Sequence, residues 1–207
     1  MKKLIVLYDS EVKDADRDSY LRAIQKQVPS DKLLLMDLDK QNNIFIDGNN
    51  DRVILLEPAS DEAHKQLKEF FNIHKHLDIE GKYTGKLTIT AEAIIKTLDD
   101  RYRDIARLKV LIVNKSDTIG KPLYKELKAR GLKALILDSK ADVKKSLQHF
   151  KPDVVVTATG NKDFNIPGHL LADAEMVIDL SNDTNLNRAI RRIPTAKVLR
   201  DRLDKED

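Results

Sequence analysis

The chain has 207 residues, 41% of them apolar and 34% charged, with no cysteine and a net charge of +3. That balance suits a soluble globular protein of one large or two small domains, and the missing cysteine excludes disulfides and thiolate chemistry and fits a cytoplasmic address. The charge excess is too small to imply nucleic-acid binding, no apolar run is long enough to span a bilayer, and Asp9 and Glu11 interrupt the opening MKKLIVLYDSEV too early for a signal peptide.

In chain order, residues 4–8 form a short apolar run that predicts a buried strand. Residues 16–28 place Tyr20, Leu21, Ile24 and Val28 at helical spacing and stop at Pro29. Residues 32–38 and 52–56 read as two further strands, with a turn signal at Asp47-Gly48 between them. Residues 61–72 read as a helix whose first turn carries Asp61 and Glu62, favourably placed for the helix dipole. A polar connection with glycines at 81 and 85 follows over 73–87, and 90–102 reads as helix. From Lys109 the rhythm is regular: strand 109–114, helix 120–130, strand 133–138, helix 142–149, strand 153–157 and strand 176–180. Strands alternating with helices at this spacing predict right-handed βαβ units and a parallel sheet, with Gly131 as a helix C-cap. Residues 188–207 hold seven Lys/Arg against four Asp/Glu. They read as a solvated helix face, with a phosphate- or RNA-binding surface as the alternative.

The stretch VLIVNKSDTIGKP, 110–122, reads as a buried strand, a tight polar turn and a helix opening on Gly-Lys-Pro. That layout predicts free backbone N–H groups at a helix N-terminus facing the C-terminal end of a strand, where anions bind in open α/β sheets. Gly120 is the only glycine in the turn, so the G-x-G-x-x-G fingerprint is absent and a generic doubly wound domain stays open. Lys115 offers a cation and Ser116 a hydroxyl beside the expected phosphate, and Pro122 suits a first helical turn. Asp138, followed by Ser139, lies 18 residues after Gly120, near the spacing of an acidic residue that bonds a ribose 2′-hydroxyl. TATGNKDF, 157–164, adds a second loop in which Thr159 and Gly160 would approach a ligand. The plainer readings are that Asp138 caps the next helix and that Lys115 is solvated.

Other residues read as structural. His64, His74 and His76 lack ligand spacing with carboxylates, so they read as solvated rather than as a metal site. Asp9, Asp14, Asp16 and Asp18 read as a solvated loop, and no G-x-S-x-G nucleophile motif is present.

Several of these segments together resemble the bifunctional methylenetetrahydrofolate dehydrogenase/cyclohydrolase family. VNKSDTIGKPL is similar to its G-R-S-x-x-V-G-x-P-x turn, matching at Ser116, Ile119, Gly120 and Pro122, with Asn114 and Lys115 in place of glycine and arginine. PDVVVTATGNKDFN resembles A-D-I-V-I-x-A-x-G-x-P-x-F, AEMVIDLSND resembles the strand ending V-I-D-V-G-I-N, and LTITAEAIIKTL resembles P-C-T-P-x-G-I-x-x-L-L. Upstream, DSYLRAIQKQV is similar to the Y-x-x-x-K-x-K helix, RVILLEPAS to the V-Q-L-P-L-P loop, and LDIEGKYTGKL to K-D-V-D-G-F…N-x-G-x-L.

The resemblance implies an α/β chain of two lobes, the C-terminal one a Rossmann-like doubly wound parallel sheet. It implies a truncated catalytic-type lobe over 1–88, a dinucleotide-binding domain over 89–184 and a charged helix or tail over 185–207. It further implies NAD or NADP as cofactor, a folate as a second ligand, no metal, and a homodimer. Asn114, Lys115, Ser116, Ile119, Gly120, Asp138, Ser139, Thr159 and Gly160 are the implied cofactor residues. Tyr20, Lys26 and Glu80 are what remains of a catalytic set. The family's acid/base lysine falls on Ile24 and its glutamine on Ile54, and isoleucine can neither move a proton nor offer a charge. Glu80 stands for an aspartate with one methylene more, and Lys26 lies about 200° around the helix from position 24. The T-P-V-P-G-G-V-G-P loop that closes over the nicotinamide has only Ile193-Pro194-Thr195 as its counterpart. The expected function is therefore an NAD(P)-binding homologue that has lost the folate chemistry, with a weak preference for NAD because Asp138 opposes a 2′-phosphate. An active methylenetetrahydrofolate dehydrogenase and a dehydrogenase for another small substrate are the alternatives.

Overall fold

Leu4, Ile5, Val6 and Leu7 are all buried because β1 (Lys3–Tyr8) is the centre of a three-stranded parallel sheet and has no solvent face. The computed structural model describes residues 2–40 and 51–205, so the turn signal at Asp47-Gly48 lies outside the described residues. Chain contacts divide the protein into two units, Met1–Ile89 with Thr195–Asp207, and Thr90–Pro194.

In the first unit β1 is flanked by β2 (Leu33–Asp37) and β3 (Asp51–Leu55), in the order β2-β1-β3. Helix α1 (Asp14–Gln25) ends three residues before the expected stop, where the Ile24 carbonyl accepts the N–H groups of both Gln27 and Val28 and closes a tight turn ahead of Pro29. Helix α2 (Asp61–Ile73) starts at Ser60, whose hydroxyl accepts the Ala63 N–H, and packs Leu67 and Phe71 against Ile5, Leu7 and Val53.

The acidic cluster is not a solvated loop. Asp14, Asp16 and Asp18 lie exposed on α1, with the first two in its opening turn. Asp9 is buried and accepts the N–H groups of Glu11 (3.1 Å) and Ser60 (2.8 Å), which ties β1 to the start of α2.

The basic tail is not a plain solvated face either. Helix α6 (Thr195–Asp204) buries Val198, Leu199 and Leu203, and Arg202 donates to the carbonyls of Ile79, Glu80 and Leu87. Further back, Arg188 donates to the carbonyls of Leu171, Ala172 and Ala174, and Arg191 to that of Thr184. These guanidiniums each supply donors to several loop carbonyls at once.

Helix α3 (Ile89–Arg101) leads into the second unit, where β4 (Lys109–Val113), β5 (Lys133–Leu137), β6 (Val154–Thr157) and β7 (Met176–Asp179) form a parallel sheet in the order β5-β4-β6-β7. Helix α4 (Gly120–Ala129) carries the chain outward from β4 to β5, and α5 (Val143–Phe150) carries it back past β4 to β6. Right-handed crossovers in opposite directions put the two helices on opposite faces, which is the doubly wound arrangement. Gly131 takes φ 83 and ends α4 as expected of a C-cap glycine. The strand order reverses between β4 and β6, so the crevice outside their carboxyl ends is the place where such sheets bind ligands.

Candidate functional site

Two loops meet at that crevice, 114–120 after β4 and 158–164 after β6. Asn114 joins them: its Nδ2 donates to the Ala158 carbonyl at 2.6 Å. Its Oδ1 accepts from the N–H of Ser116 (2.8 Å), the hydroxyl of Ser116 (2.7 Å) and the N–H of Gly120 (2.9 Å). The Ser116 hydroxyl also accepts the Ile119 N–H at 3.1 Å, and the Ser116 carbonyl accepts that of Lys121. The sequence layout predicts free N–H groups here, but the structure satisfies those of Ser116, Ile119, Gly120 and Lys121 within the turn. The reason is the residue at 114: a side-chain amide folds over the helix start and acts as an internal stand-in for an anion. Gly120 is obligatory in this turn, because a Cβ there would lie 1.7 Å from the Asn114 carbonyl oxygen.

Asp138 follows β5 and faces the same loop. Its Oδ1 accepts the Lys140 N–H at 2.9 Å, and its Oδ2 lies 3.4 Å from the Lys115 ammonium. The Lys140 N–H first, and then Lys115, hold its carboxyl below the usual range, so it is ionised at neutral pH. Ser139 is half-buried beside it. Lys115 is therefore paired with the Asp138 carboxylate rather than simply solvated.

Beyond β6, Thr159 and Gly160 are held by groups that sequence reasoning did not single out. Buried Asp183 accepts the Thr157 hydroxyl at 2.5 Å, the Thr159 N–H at 2.9 Å and the Thr159 hydroxyl at 2.7 Å. Buried Asp179, the last residue of β7, accepts the N–H groups of Asp183 and Thr184, and Arg191 stands 3.8 Å from it. Gly160, at φ 64, donates its N–H to the Ser181 hydroxyl. The available signal was Asp179 itself, a carboxylate ending an otherwise apolar buried strand, which must find donors.

In the first unit the candidate catalytic residues do not converge. Tyr20 and Lys26 are exposed, whereas Ile24 between them is buried and Ile54 is half-buried. Glu80 accepts the Ile89 N–H at 3.3 Å, and burial pushes its carboxyl up to about 7 against the opposing pull of Arg202. Among the described residues no hydrogen bond or ion pair joins Tyr20, Lys26 and Glu80 to one another.

The expected polar connection over 73–87 is instead partly interior. Leu77, Asp78 and Ile79 are buried, and Asp78 accepts the N–H groups of Gly81, Tyr83 and Thr84 together with the Thr84 hydroxyl. That wrap presents Lys82 and Tyr83 to α2. His64 is not a solvated histidine: its Nδ1 lies 2.7 Å from the Tyr83 hydroxyl and its Nε2 3.5 Å from the Glu57 carboxylate, which also pairs with Lys82. Burial first, and then the charges of Glu57 and Asp78, raise the Tyr83 phenol well above its ordinary value. Among the described residues no group of three His, Asp or Glu side chains could hold a metal ion.

Residues 88–192 match the family model described as tetrahydrofolate dehydrogenase/cyclohydrolase, NAD(P)-binding domain. The bifunctional protein FolD of Dictyoglomus thermophilum is 28% identical over 160 residues, covering 72% of this chain and 53% of that protein. The match thus spans about half the length of that relative. Among solved structures, the bifunctional methylenetetrahydrofolate dehydrogenase/cyclohydrolase of Thermoplasma acidophilum is similar at TM-score 0.68 and 17% identity, over 98% of this chain and 88% of that one. The Trypanosoma brucei enzyme, solved with NADP and an inhibitor, gives TM-score 0.69 and 13% identity over 98% and 85%. The NAD-dependent methylenetetrahydrofolate dehydrogenase of Saccharomyces cerevisiae gives 0.67 and 15% over 97% and 86%. These likenesses establish the fold, and the family model establishes the kinship. The chain belongs to the tetrahydrofolate dehydrogenase/cyclohydrolase family, with an NAD(P)-binding domain of that type.

Proposed function

We propose that this family member binds NAD+ or NADP+ in its second unit and has lost the folate chemistry of its relatives. The observation that carries the reading is Ile24. The family resemblance places the acid/base lysine there, and the side chain is apolar and buried in the first unit's core. Ile54 on β3 removes the partner glutamine independently. On the nucleotide side, the reversal of strand order between β4 and β6, the Gly120 turn, Asp138 and the Thr159–Gly160 loop support a dinucleotide lying across the crevice. Asp138 is ionised and would accept ribose hydroxyls while opposing a 2′-phosphate, and Lys115 offsets part of that opposition. The result is a weak preference for NAD+. The resemblance also supports a homodimer in the cytoplasm.

The test compares thermal shifts with NAD+, NADP+ and tetrahydrofolate, alongside an assay for methylenetetrahydrofolate-dependent reduction of NAD+ or NADP+. Stabilisation by a dinucleotide with no folate turnover is the expected result. Turnover well above background would overturn the loss of chemistry.

A second reading, a dehydrogenase for another small substrate, is favoured by the Tyr83–His64–Glu57 arrangement. It gives the first unit a phenol and an imidazole in hydrogen-bond reach, the pair that acid–base catalysis needs. Dinucleotide reduction supported by a non-folate alcohol, and abolished in Tyr83→Phe, would identify it.

A further inference from the structure

At the opposite edge of the second unit's sheet, outside the amino ends of β4 and β6, lies a cavity of about 570 Å³. Its volume falls within the ~300–1,000 Å³ of small-molecule sites. Lys144, Lys151, His169 and Asp173 line it, with Leu147 and Pro152 supplying apolar wall. Two other lining residues are already engaged: Lys109 donates its ammonium to the Phe150 carbonyl, and Asp153 accepts the Lys109 N–H at 2.7 Å. Lys144 and Lys151 have no carboxylate partner among the described residues.

The backbone at Lys151 adds an independent observation. Lys151 is the C-cap of α5 and sits in the left-handed region, at φ 47 and ψ 68. Helix α4 meets the same requirement with Gly131, at φ 83. Glycine enters this conformation without penalty, whereas a Cβ makes it costly. A lysine held in that conformation in the lining of this cavity points to a use for its ammonium.

We propose that this cavity binds a small phosphate monoester carrying hydroxyl groups. Two unpaired ammonium groups and an imidazole suit a dianionic phosphate. Asp173, an acceptor, suits a hydroxyl, and Leu147 and Pro152 suit the carbon skeleton. The site is separate from the dinucleotide crevice, because it lies at the other end of the same strands, and the proposal goes beyond the dinucleotide reading.

The probe is ribose 5-phosphate, with ribose, inorganic phosphate and NAD+ as separate arms of a thermal-shift experiment on the full chain. Millimolar ribose 5-phosphate is expected to raise the melting temperature by about 4 °C, more than inorganic phosphate, with no effect from ribose. Lys151→Gly should melt higher than the unmodified protein without ligand and lose the ribose 5-phosphate shift. Lys144→Ala should lose at least half of that shift. An unchanged shift in Lys151→Gly, a lower ligand-free melting temperature in that variant, or no shift in the unmodified protein would overturn the proposal. An equal response to inorganic phosphate would overturn the monoester assignment. The NAD+ arm reads the dinucleotide crevice alone, so its failure counts against that reading and leaves the cavity result standing.

Discussion

Asn114 accepts the backbone N–H of Gly120 at 2.9 Å through the same oxygen that takes both the N–H and the hydroxyl of Ser116. The helix start is thereby closed on itself. A Cβ at position 120 would strike the Asn114 carbonyl at 1.7 Å, and the obstacle is backbone rather than a movable side chain. Gly120→Ala is expected to destabilise the protein by about 3 kcal/mol, measured by urea unfolding. A loss below about 1 kcal/mol would show that the turn re-forms around the methyl group.

Asn114→Gly removes the internal acceptor and exposes the N–H groups of Ser116 and Gly120. Dinucleotide binding is expected to tighten about tenfold, because donors now aimed inward become available to a phosphate. Stability falls by about 2 kcal/mol with the loss of the tie to Ala158. Calorimetric titration with NAD+ reads the first effect, and weaker binding in the variant would show that the asparagine itself holds the ligand.

Asp183→Ala leaves two threonine hydroxyls and one N–H without their acceptor in the interior. The expected cost is about 3 kcal/mol, with the larger functional effect on the 159–160 loop. Hydrogen exchange at Thr159 should accelerate in this variant, and unchanged protection there would argue that the network is dispensable.

Glu80 gives stability a pH slope. Its carboxyl titrates near 7 in the folded protein against 4.5 for the free side chain, chiefly through burial. Between these values the native state keeps a proton that the unfolded chain has released, so Glu80's contribution to stability is fully present below pH 4.5 and is lost as pH rises through about 7. The size of that loss is at most about 3 kcal/mol. Glu80→Gln should flatten the slope and raise stability above pH 7. A profile identical to that of the unmodified protein would remove Glu80 as its source.

On the proposed loss of folate chemistry, Ile24→Lys is expected to show no folate turnover. The side chain at 24 is buried, position 54 still lacks an amide, and Tyr20 lies exposed on the same helix. The variant should lose about 3 kcal/mol of stability and show no folate-dependent reduction of NAD+. Robust folate-dependent reduction of NAD+ in this single variant would overturn the argument.

The second unit's order of strands and helices was legible because buried parallel strands leave unbroken apolar runs such as VLIV and VVVT, and Gly131 marks a helix end by conformation alone. Less legible were residues whose role depends on partners distant in sequence. Asp183 is bonded to Thr157, 26 positions away, and nothing local distinguishes it from a surface aspartate. The 73–87 segment looked polar because Asp78 and Glu80 are acidic, yet Asp78 is buried by three N–H groups of its own loop. His64 looked solvated for a similar reason, since Tyr83 reaches it only through that wrap. At Asn114 the sequence located the turn correctly but not the use of its donors, which depends on a single side-chain amide.

The return of α6 to the first unit makes that unit discontinuous, with Thr90–Pro194 as an insertion. Synthesis on the ribosome runs from the amino end, so the second unit can complete its sheet before Arg202 exists. Until then the carbonyls of Ile79, Glu80 and Leu87 lack their guanidinium. Helix α6, made after the second unit, is therefore the step that completes the first unit, and the middle of the nascent chain can mature before the unit that flanks it.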